Sequence, residues 1–327
     1  MSGLIIMANT PVRLAADYAR GNASFGALST AARQQQWDVA TDIDWTLDPD
    51  ASVRGPTADA ELAAFKLSPL ARYGEAGWRL LGQERQAWMV GEFQHGEQGA
   101  LIAAARLVET LPHIETKACA ASQAADEARH VDAFSRYIRE RIADPYPPSQ
   151  SMTSFLDHVL RHGDWDMTAL GLHVVLEPVA LAVFRLAKTI FPDELIKQII
   201  ALVARDEARH VAFGLLLLKD VYAEMSDAER KARQEFVIEA IHRMSRRFLL
   251  EDVWARLGIR RSDGVAFAST DAMMLAHRQA VFARVASNLS RVGLLTPSIR
   301  AEMEKLGLLG RAAQRVVLRQ TVAETGS

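Results

Sequence analysis

The chain has 327 residues, of which 49% are hydrophobic, and its formal net charge is -2 at pH 7. This composition supports a large buried core and is not typical of a disordered segment or of a protein that binds nucleic acid or anionic lipid. The single cysteine, Cys119, cannot form an intrachain disulfide, and neither a signal peptide nor an apolar run of about 18 residues is present, so we expect a cytoplasmic protein without nucleic-acid or membrane partners.

The first 68 residues place Gly, Pro, Asp and Asn between short apolar stretches, which predicts short helices and loops wrapped around a core. From Pro69 onwards, apolar residues recur at intervals of three and four with few breakers, which predicts long helices. We therefore predict an all-α fold. The predicted helices of the central part lie near 76–110, 114–142, 150–162, 166–190 and 194–224.

Further helices are predicted near 227–257, 271–292 and 311–322, and a short one begins at Pro297 after the capping residue Thr296. No stretch of the chain has the composition of a linker, so we predict one domain over residues 1–327. Its parts are an N-terminal wrap (1–68), a four-helix core (69–225) and C-terminal helices (226–327). The C-terminal helices are interpreted as a buttress or a subunit interface, and a homodimer is one prediction.

An identical hexapeptide, Asp-Glu-Ala-Arg-His-Val, occurs at 126–131 and at 206–211. A glutamate lies 30 residues before the glutamate of each copy, with a proline midway. The two series are Glu97, Pro112 and Glu127, and Glu177, Pro192 and Glu207. If each proline marks the turn of a helical hairpin, both glutamates of that hairpin lie at one level, about 22 Å of helix from the bend. Two such hairpins bring four carboxylates and two imidazoles together in a bundle core.

Residues three apart on a helix share one face, so each Glu-x-x-His pair of the two hexapeptides can hold one metal ion. The bare Glu-x-x-His pattern occurs four times in the chain, and only the repeated hexapeptide and the matched spacing distinguish these two copies. Two divalent ions would offset the charge of four buried glutamates. The predicted metal ligands are Glu97, Glu127, His130, Glu177, Glu207 and His210, with Glu127 and Glu207 bridging the two ions.

Glu92 is the alternative to Glu97 as the ligand from the first helix. The two side chains point about 140° apart, so both cannot bind one centre. Symmetry about Pro112 favours Glu97 and leaves Glu92, with His95, as a polar neighbour or a surface pair.

Asp126 and Asp206 each precede a ligand glutamate, and we predict that each accepts the outer N–H of the histidine from the opposite hairpin. The predicted pairs are Asp126 with His210 and Asp206 with His130, and the alternative is a surface salt bridge to Arg129 or Arg209. His173, one turn before Glu177, is interpreted as a seventh ligand, a hydrogen-bonding neighbour or a core histidine bonded to a backbone carbonyl. Pro178 predicts a kink beside the site because it removes a helical N–H.

Many small residues lie on the helix faces around the ligands, where they either leave room for a substrate or allow close helix packing. The candidate residues for a substrate pocket, each about one turn from a ligand, are Phe93, Ala100, Phe134, Leu181 and Phe213.

At these residues the sequence resembles the ferritin-like di-iron carboxylate proteins, over roughly residues 70–225. Gly96 and Glu97 followed by the first hexapeptide are similar to the large hydroxylase subunits of bacterial multicomponent monooxygenases, and the chain length is similar to that of arylamine N-oxygenases. The extra histidine of those N-oxygenases corresponds here to Val203. The radical tyrosine of class I ribonucleotide reductase small subunits corresponds to Phe134. The resemblance implies a ferritin-like four-helix bundle with additional N- and C-terminal helices.

Carboxylate oxygens with two imidazoles suit two iron ions, or manganese, and redox-active ions can deliver electrons to O2 as a co-substrate. The leading hypothesis is a di-iron oxygenase that hydroxylates, N-oxygenates or desaturates a small organic substrate and uses an unidentified electron donor. A ferroxidase or other iron-handling protein, a manganese catalase and a non-catalytic bundle are the alternatives. An apolar pocket that reaches the metals would favour the oxygenase.

Overall fold

The computed structural model describes residues 12–13, 23–47 and 59–310, and no strand occurs among them. The prediction of an all-α fold is therefore confirmed. The helix predicted near 311–322 lies outside the described residues, as does part of the predicted N-terminal wrap.

The described part of the N-terminal wrap consists of short helices and an irregular segment, as predicted. Helix α1 (Ala23–Gln34) is followed by residues 35–47, which bury Trp37 and Ile43 against the bundle. Helix α2 (Asp59–Leu67) and a single 3-10 turn (Ala71–Tyr73) lead into the long helices.

Four long helical stretches form the centre of the molecule as two hairpins. They are α3 (Gly74–Thr110) with α4 (Ile114–Arg141), and the continuous helix Trp165–Ile190 with α8 (Glu194–Leu218). The continuous helix comprises α6 (Trp165–Ala169), a π-helical segment (Leu170–Leu176) and α7 (Glu177–Ile190). Between the hairpins, α5 (Gln150–Arg161) begins at Ser149, whose side chain accepts a hydrogen bond from the Met152 backbone N–H.

Both hairpins turn at the predicted prolines for the same physical reason. A proline restricts the residue before it to extended conformations, so a helix ends there. Leu111, before Pro112, has a ψ of 143°, and Phe191, before Pro192, has a ψ of 133°. Asp193 then caps α8 by accepting a hydrogen bond from the Leu195 backbone N–H.

At Pro178 the helix continues through a wider turn. Pro178 has no N–H to donate, and the backbone N–H of Glu177 bonds to the Leu172 carbonyl, five residues back, in the π-helical segment. By length and composition the helix Trp165–Ile190 could cross a membrane, but 83% of its most apolar 18-residue stretch is buried inside the protein. It is therefore the core helix of the bundle.

The C-terminal helices pack around the outside of the bundle. They are α9 (Asp227–Arg246), α10 (Glu251–Arg256), α11 (Arg261–Thr270), α12 (Ala272–Arg291) and α13 (Pro297–Lys305). The single helix predicted over 227–257 is wrong, because a 3-10 turn (Arg247–Leu249) and Leu250 with a φ of 54° separate α9 from α10. A leucine in this left-handed conformation is not signalled by Gly or Pro in the sequence. The prediction that α8 extends to residue 224 is also wrong, since it ends at Leu218.

Candidate metal centre

Each bundle helix contributes a glutamate to one buried cluster, and two of them add a histidine. One group of donor atoms within 4.8 Å of one another belongs to Glu97, Glu127, His130 and Glu207, and a second belongs to Glu127, Glu177, Glu207 and His210. All six residues are buried. Because Glu127 and Glu207 occur in both groups, they are in the position of bridging ligands, as the sequence predicts.

The two imidazoles face the carboxylates through their Nδ1 atoms. His130 Nδ1 lies 3.3 Å from a carboxylate oxygen of each of Glu97, Glu127 and Glu207. His210 Nδ1 lies 3.2 Å from Glu127 Oε1 and 3.4 Å from Glu207 Oε1. Two donor atoms that bind the same metal ion at about 2.0–2.2 Å lie roughly 3.0–3.4 Å from each other. The separations in the cluster therefore fit metal coordination.

Several donor atoms in the cluster are buried without a hydrogen bond to any residue that the structure describes. They are Glu127 Oε2, Glu177 Oε2, Glu207 Oε1 and His210 Nδ1. Burying a polar atom without a partner destabilises the folded protein. A cluster of such atoms therefore indicates a ligand that binds all of them. The donor set of oxygens and two imidazole nitrogens suits two ions of iron or manganese.

The pKa values of the cluster glutamates also indicate that their negative charges need nearby positive charge. Burial, and then the carboxylate of Glu207, raises the pKa of Glu97 well above its usual value, and the same two causes raise the pKa of Glu177. Burial alone would raise the pKa of Glu127, but the His210 and His130 imidazoles hold it well below its usual range. Without cations, the cluster must therefore take up protons.

The outer nitrogens of both histidines contact the aspartates of the opposite hairpin, in the pairing that the sequence predicts. His130 Nε2 lies 3.3 Å from Asp206 Oδ2, and His210 Nε2 lies 3.2 Å from Asp126 Oδ2. An imidazole that binds metal through Nδ1 carries its proton on Nε2 and donates it to the aspartate. The pairing therefore fixes the tautomer and the ring orientation.

The arginines of the two hexapeptides contact the same aspartates as well, but in buried ion pairs and not in the surface salt bridges given as the alternative. Arg209 Nη2 lies 2.7 Å from Asp126 Oδ2 and 3.1 Å from Asp206 Oδ1. Arg129 Nη2 lies 2.5 Å from Asp126 Oδ1 and 3.2 Å from Asp206 Oδ2. Burial alone would raise the pKa of each aspartate. The hydrogen bond from the histidine and the charge of Arg209 more than offset this effect, so both pKa values are lowered.

The N-terminal wrap supplies a further residue of the site that sequence reasoning missed. Trp37 donates its indole N–H to Asp206 Oδ2 at 2.7 Å, and its ring stacks on His130 with the centroids 6.1 Å apart. Arg129 lies over the same indole ring. No motif surrounds Trp37, and the contact joins residues 169 positions apart, so no local pattern could have shown it.

His173 reaches the cluster through a glutamine. His173 Nε2 lies 2.9 Å from Gln123 Oε1, and Gln123 donates to Glu177 Oε1 at 2.6 Å and to Glu127 Oε1 at 3.2 Å. Burial lowers the pKa of His173 to about 3, so the ring is neutral and Nε2–H is the donor to Gln123. The structure thus places His173 as a hydrogen-bonding neighbour. Gln123, four residues before Glu127, could have been found as a residue on the ligand face of its helix.

Glu92 is buried beside the cluster but is bound by other partners. It accepts hydrogen bonds from the Ser149 backbone N–H at 3.1 Å, from Ser149 Oγ at 3.0 Å and from Arg247 Nε at 2.8 Å. His95 is not its partner, since the imidazole contacts the Tyr146 carbonyl at 3.3 Å. The structure therefore assigns Glu92 to an internal ion pair, and Glu97 is the glutamate of α3 that belongs to the cluster.

Two adjoining cavities lead to the cluster. A small chamber of about 30 Å³ is lined by the ligands Glu97, Glu177 and Glu207. A larger apolar cavity of about 170 Å³ lies next to it. Phe93, Val183 and Arg247 line both spaces, so the cavity and the chamber meet at these side chains, which we call the junction. The aromatic residues of the larger cavity are Phe65, Trp78, Trp88, Phe93, Phe248, Trp254 and Phe267.

The candidate pocket residues lie at different distances from these spaces. Phe93 lies at the junction, and Ala100 lines the chamber. Phe134 packs against Phe93 with the ring centroids 5.6 Å apart. Leu181 lines neither space, and Phe213 lines a separate small cleft beside His210. Most of the residues that line the cavity belong to α2, α3 and the C-terminal helices, which are far apart in the sequence.

No protein-family model matches the chain, and no curated protein matches its sequence. Solved structures match it over most of its length. A single-residue variant of an R2-like ligand-binding oxidase with an aerobically reconstituted Mn/Fe cofactor is 17% identical, with a TM-score of 0.54 over 82% of this chain and 92% of that chain. An R2-like ligand-binding oxidase with an aerobically reconstituted Mn/Fe cofactor after a long soak is 16% identical, with a TM-score of 0.51 over 82% and 92% of the two chains. The chain therefore has the all-helical, ferritin-like fold of these oxidases, as predicted.

Proposed function

We propose that the protein is an O2-dependent oxidoreductase that oxidises a small apolar organic molecule at a centre of two iron or manganese ions. The donor set of the cluster supports two such ions, and its unpartnered buried atoms support their being resident. The similar solved structures are oxidases that carry an Mn/Fe cofactor. The free, buried Cys119 suits the reducing cytoplasm, which we propose as the location.

The observation that carries this proposal is the apolar cavity that lies next to the metal chamber and shares the lining residues Phe93 and Val183 with it. A ferroxidase or a catalase needs only a path for ions or peroxide, and a large aromatic cavity beside the metals has no use in either reaction. An enzyme that oxidises an organic molecule needs such a space, because the substrate must lie against the centre while water is excluded. The cavity thus favours an oxidase or oxygenase over the two alternatives.

The side chains around the cluster have distinct parts in this chemistry. When bound, the two ions would supply the electrons and the binding site for O2. Glu97, Glu127, His130, Glu177, Glu207 and His210 would hold them. Asp126 and Asp206 keep the proton of each imidazole on Nε2 and thereby keep Nδ1 free to bind. Phe93 lies between the chamber and the wider cavity, and its ring packs 4.8 Å from that of Phe184, which lines the chamber.

Metal analysis followed by rapid mixing of the reduced protein with O2 tests the proposal. We expect two ions per chain and a transient visible absorption band, followed by oxidation of an added apolar substrate. Hydroxylation, desaturation and N-oxygenation are distinguished by mass analysis of the product. Repeated oxidation of added Fe(II) with no effect of organic compounds would indicate a ferroxidase. Peroxide disproportionation with manganese bound would indicate a catalase.

Closing the junction provides a second test. Val183→Phe should fill the space between cavity and chamber, so substrate oxidation should fall by at least about 10-fold while both ions remain bound. Ile190→Phe, at a position that lines only the larger cavity, is the matched control. Equal activity of Val183→Phe and the unchanged protein would contradict a route through this junction.

A further inference from the structure

A third space, which we call the polar cleft, borders on the same arginine as the metal chamber. It has a volume of about 580 Å³ and lies between the start of α5, the second half of α9 and the start of α10. Most of its lining residues are polar or charged. Arg247 lines the polar cleft, the metal chamber and the apolar cavity, so all three spaces border on one side chain.

The ion pair of Arg247 and Glu92 lies between the polar cleft and the metal chamber. Glu92 lines the chamber but not the cleft. Ser149, which donates to Glu92 through its backbone N–H and its hydroxyl, lines the cleft but not the chamber. The Arg247 and Glu92 side chains are only 9% and 1% exposed. One buried ion pair and one serine therefore separate the two spaces.

Arg247 is held in a way that allows its side chain to move. It donates to Glu92 through Nε at 2.8 Å and lacks the two parallel hydrogen bonds of a bidentate pair, which would be stronger. Its Nη1 contacts Met244 Sδ, a weak acceptor, at 3.4 Å. Arg247 also begins the 3-10 turn that follows α9. The guanidinium can therefore turn toward the cleft without unwinding an α-helix.

Negative charges lead from the polar cleft to the cluster. The other arginines of the cleft have carboxylate partners: Arg243 pairs with Glu239, and Arg246 and Arg261 pair with Glu251. Asp252 belongs to none of these pairs. Partial burial, and then the carboxylate of Glu92, raises the pKa of Asp252, so these two acids lie close enough to interact. Asp252 in the cleft, Glu92 in the chamber wall and the cluster glutamates thus form a series that only Arg247 interrupts.

The ions must cross the protein to reach the cluster, because all six candidate ligands are buried. The apolar cavity is an unfavourable route, since moving a charge from water into apolar surroundings is costly. We propose that divalent metal ions enter from the polar cleft past Asp252 and Glu92, and that Arg247 is the gate on this route. This inference rests on the metal centre of the proposed function and adds how the ions reach it.

Metal loading can be measured without turnover. Full-length metal-free protein is mixed with Co²⁺, and the visible absorption that changes when protein ligands replace water is followed. Release is measured by adding excess chelator to the loaded protein. Arg247→Gln should accelerate uptake and release by the same factor, at least about 10-fold, because it removes a like charge and a buried ion pair from the route. The affinity, which is the ratio of the two rates, should change little.

Arg233→Gln is the matched control for this gate. Arg233 lies on α9, is 12% exposed and pairs with Asp166 through Nε at 2.9 Å, but it lines none of the three spaces. Its substitution should leave uptake and release unchanged. Unchanged rates in Arg247→Gln would overturn the inference. Faster release without faster uptake would also overturn it, since Arg247 would then stabilise the bound ions and not control their passage.

A second variant tests the route without disturbing a buried pair. Asp252 is exposed, so Asp252→Asn should fold normally and slow the uptake of Co²⁺ at low ionic strength. The effect should disappear near 1 M salt, where the Debye length is about 3 Å. Asp263→Asn, at an exposed position that pairs with Arg260 and does not line the cleft, is the control. Equal uptake by Asp252→Asn and the unchanged protein at low salt would contradict entry through the cleft.

The same measurements separate this inference from the proposed function. If the unchanged protein binds no metal at equilibrium, the proposed function and the inference are both wrong. If it binds two ions, but Arg247→Gln and Asp252→Asn load at the unchanged rate, only the route and its gate are wrong. Metal content and the reaction of the reduced protein with O2 then still support the proposed function.

Discussion

The two ligand hairpins carry the same metal-binding pattern at a constant offset of 80 residues, but the positions around the ligands differ. Phe93 in the first hairpin corresponds to His173 in the second, and Phe134 corresponds to Gly214. Phe93 and Phe134 pack together with centroids 5.6 Å apart. On the other side, Gly214 leaves the space that His173 fills, since a Cβ atom at position 214 would lie 2.0 Å from the Cβ of His173.

A third pair of positions completes the contrast. Gln123, which donates to Glu177, corresponds to the buried apolar Val203 in the second hairpin. The Glu177 side of the cluster is therefore polar and filled by the Gln123–His173 pair. On the first hairpin, Glu97 has the apolar Phe93 one turn before it, at the position that corresponds to His173. The repeat thus provides the candidate ligands, and the residues that break the repeat make the two halves of the cluster inequivalent.

Removal of a bridging carboxylate should have the largest effect on both positions. Glu127 belongs to both donor groups, so Glu127→Ala should lose most of both ions, whereas Glu97→Ala and Glu177→Ala should each lose mainly one. Metal analysis of the purified variants measures this difference. Glu140→Gln, on the same helix and in an exposed pair with Arg136, should retain both ions. Retention of one full ion in Glu127→Ala would mean that the two positions do not share this carboxylate.

Metal removal should destabilise the protein in a pH-dependent way. The pKa values of Glu97 and Glu177 are raised in the folded chain above the ordinary value of 4.5. The folded state then binds more protons than the unfolded state, so the free energy of unfolding falls as pH rises from about 4.5 through the raised pKa values. His130 and His210, whose pKa values are also raised despite burial, contribute with the same sign above 6.5.

Urea denaturation of chelator-treated protein between about pH 5 and pH 8 should therefore show stability that decreases with pH. The metal-loaded protein should lack this slope, because ions have replaced the protons on the same ligands. A rise in the stability of the metal-free protein over this range would contradict the pKa directions of the cluster.

The repeat explains why the bundle and the ligand positions could be predicted from the sequence. Helical spacing, two prolines and an exact hexapeptide repeat are local signals, and together they place Glu97, Glu127, Glu177 and Glu207 at one level. The crossed pairing of Asp126 and Asp206 with the histidines also follows from their place beside the ligand glutamates. The assignment of the six ligands as such stays a prediction, as do the single domain and the homodimer.

Other parts of the site depend on contacts that have no local signal. Trp37 and Arg247 reach the centre from the N-terminal wrap and from the turn after α9. The left-handed conformation of Leu250, which lines the apolar cavity, is set by tertiary packing and not by its own preference. A cavity assembled from five or more segments is a property of the packed structure, and the composition of each segment could not reveal it.

Exchanging the residues at positions 123 and 203, which correspond in the two hairpins, would test the contrast between the two sides. Gln123→Val should remove the hydrogen bond to Glu177 and weaken one ion by about 10- to 100-fold, the usual range for a partner of a ligand. Metal titration under chelator competition should then show one weakened ion and one unchanged ion. Val203→Gln adds a polar group at the corresponding buried position and should not strengthen either ion. Equal weakening of both ions in Gln123→Val would mean that Gln123 supports the bridging Glu127 as much as Glu177.

Trp37→Phe should give the smallest effect, and it should fall on the opposite metal position. The substitution removes the indole N–H that binds Asp206 at 2.7 Å, but Asp206 keeps contacts with Arg129 and Arg209. Loss of one donor among several costs about 0.5–1.5 kcal/mol, or roughly 2- to 10-fold in the affinity for the ion held by His130. Trp45→Phe, in the same wrap and bonded to the Val39 carbonyl, is the control and should leave both ions unchanged. An effect on the ion at His210 instead would show that the aspartates and arginines act as one network, so that the two positions cannot be tuned separately.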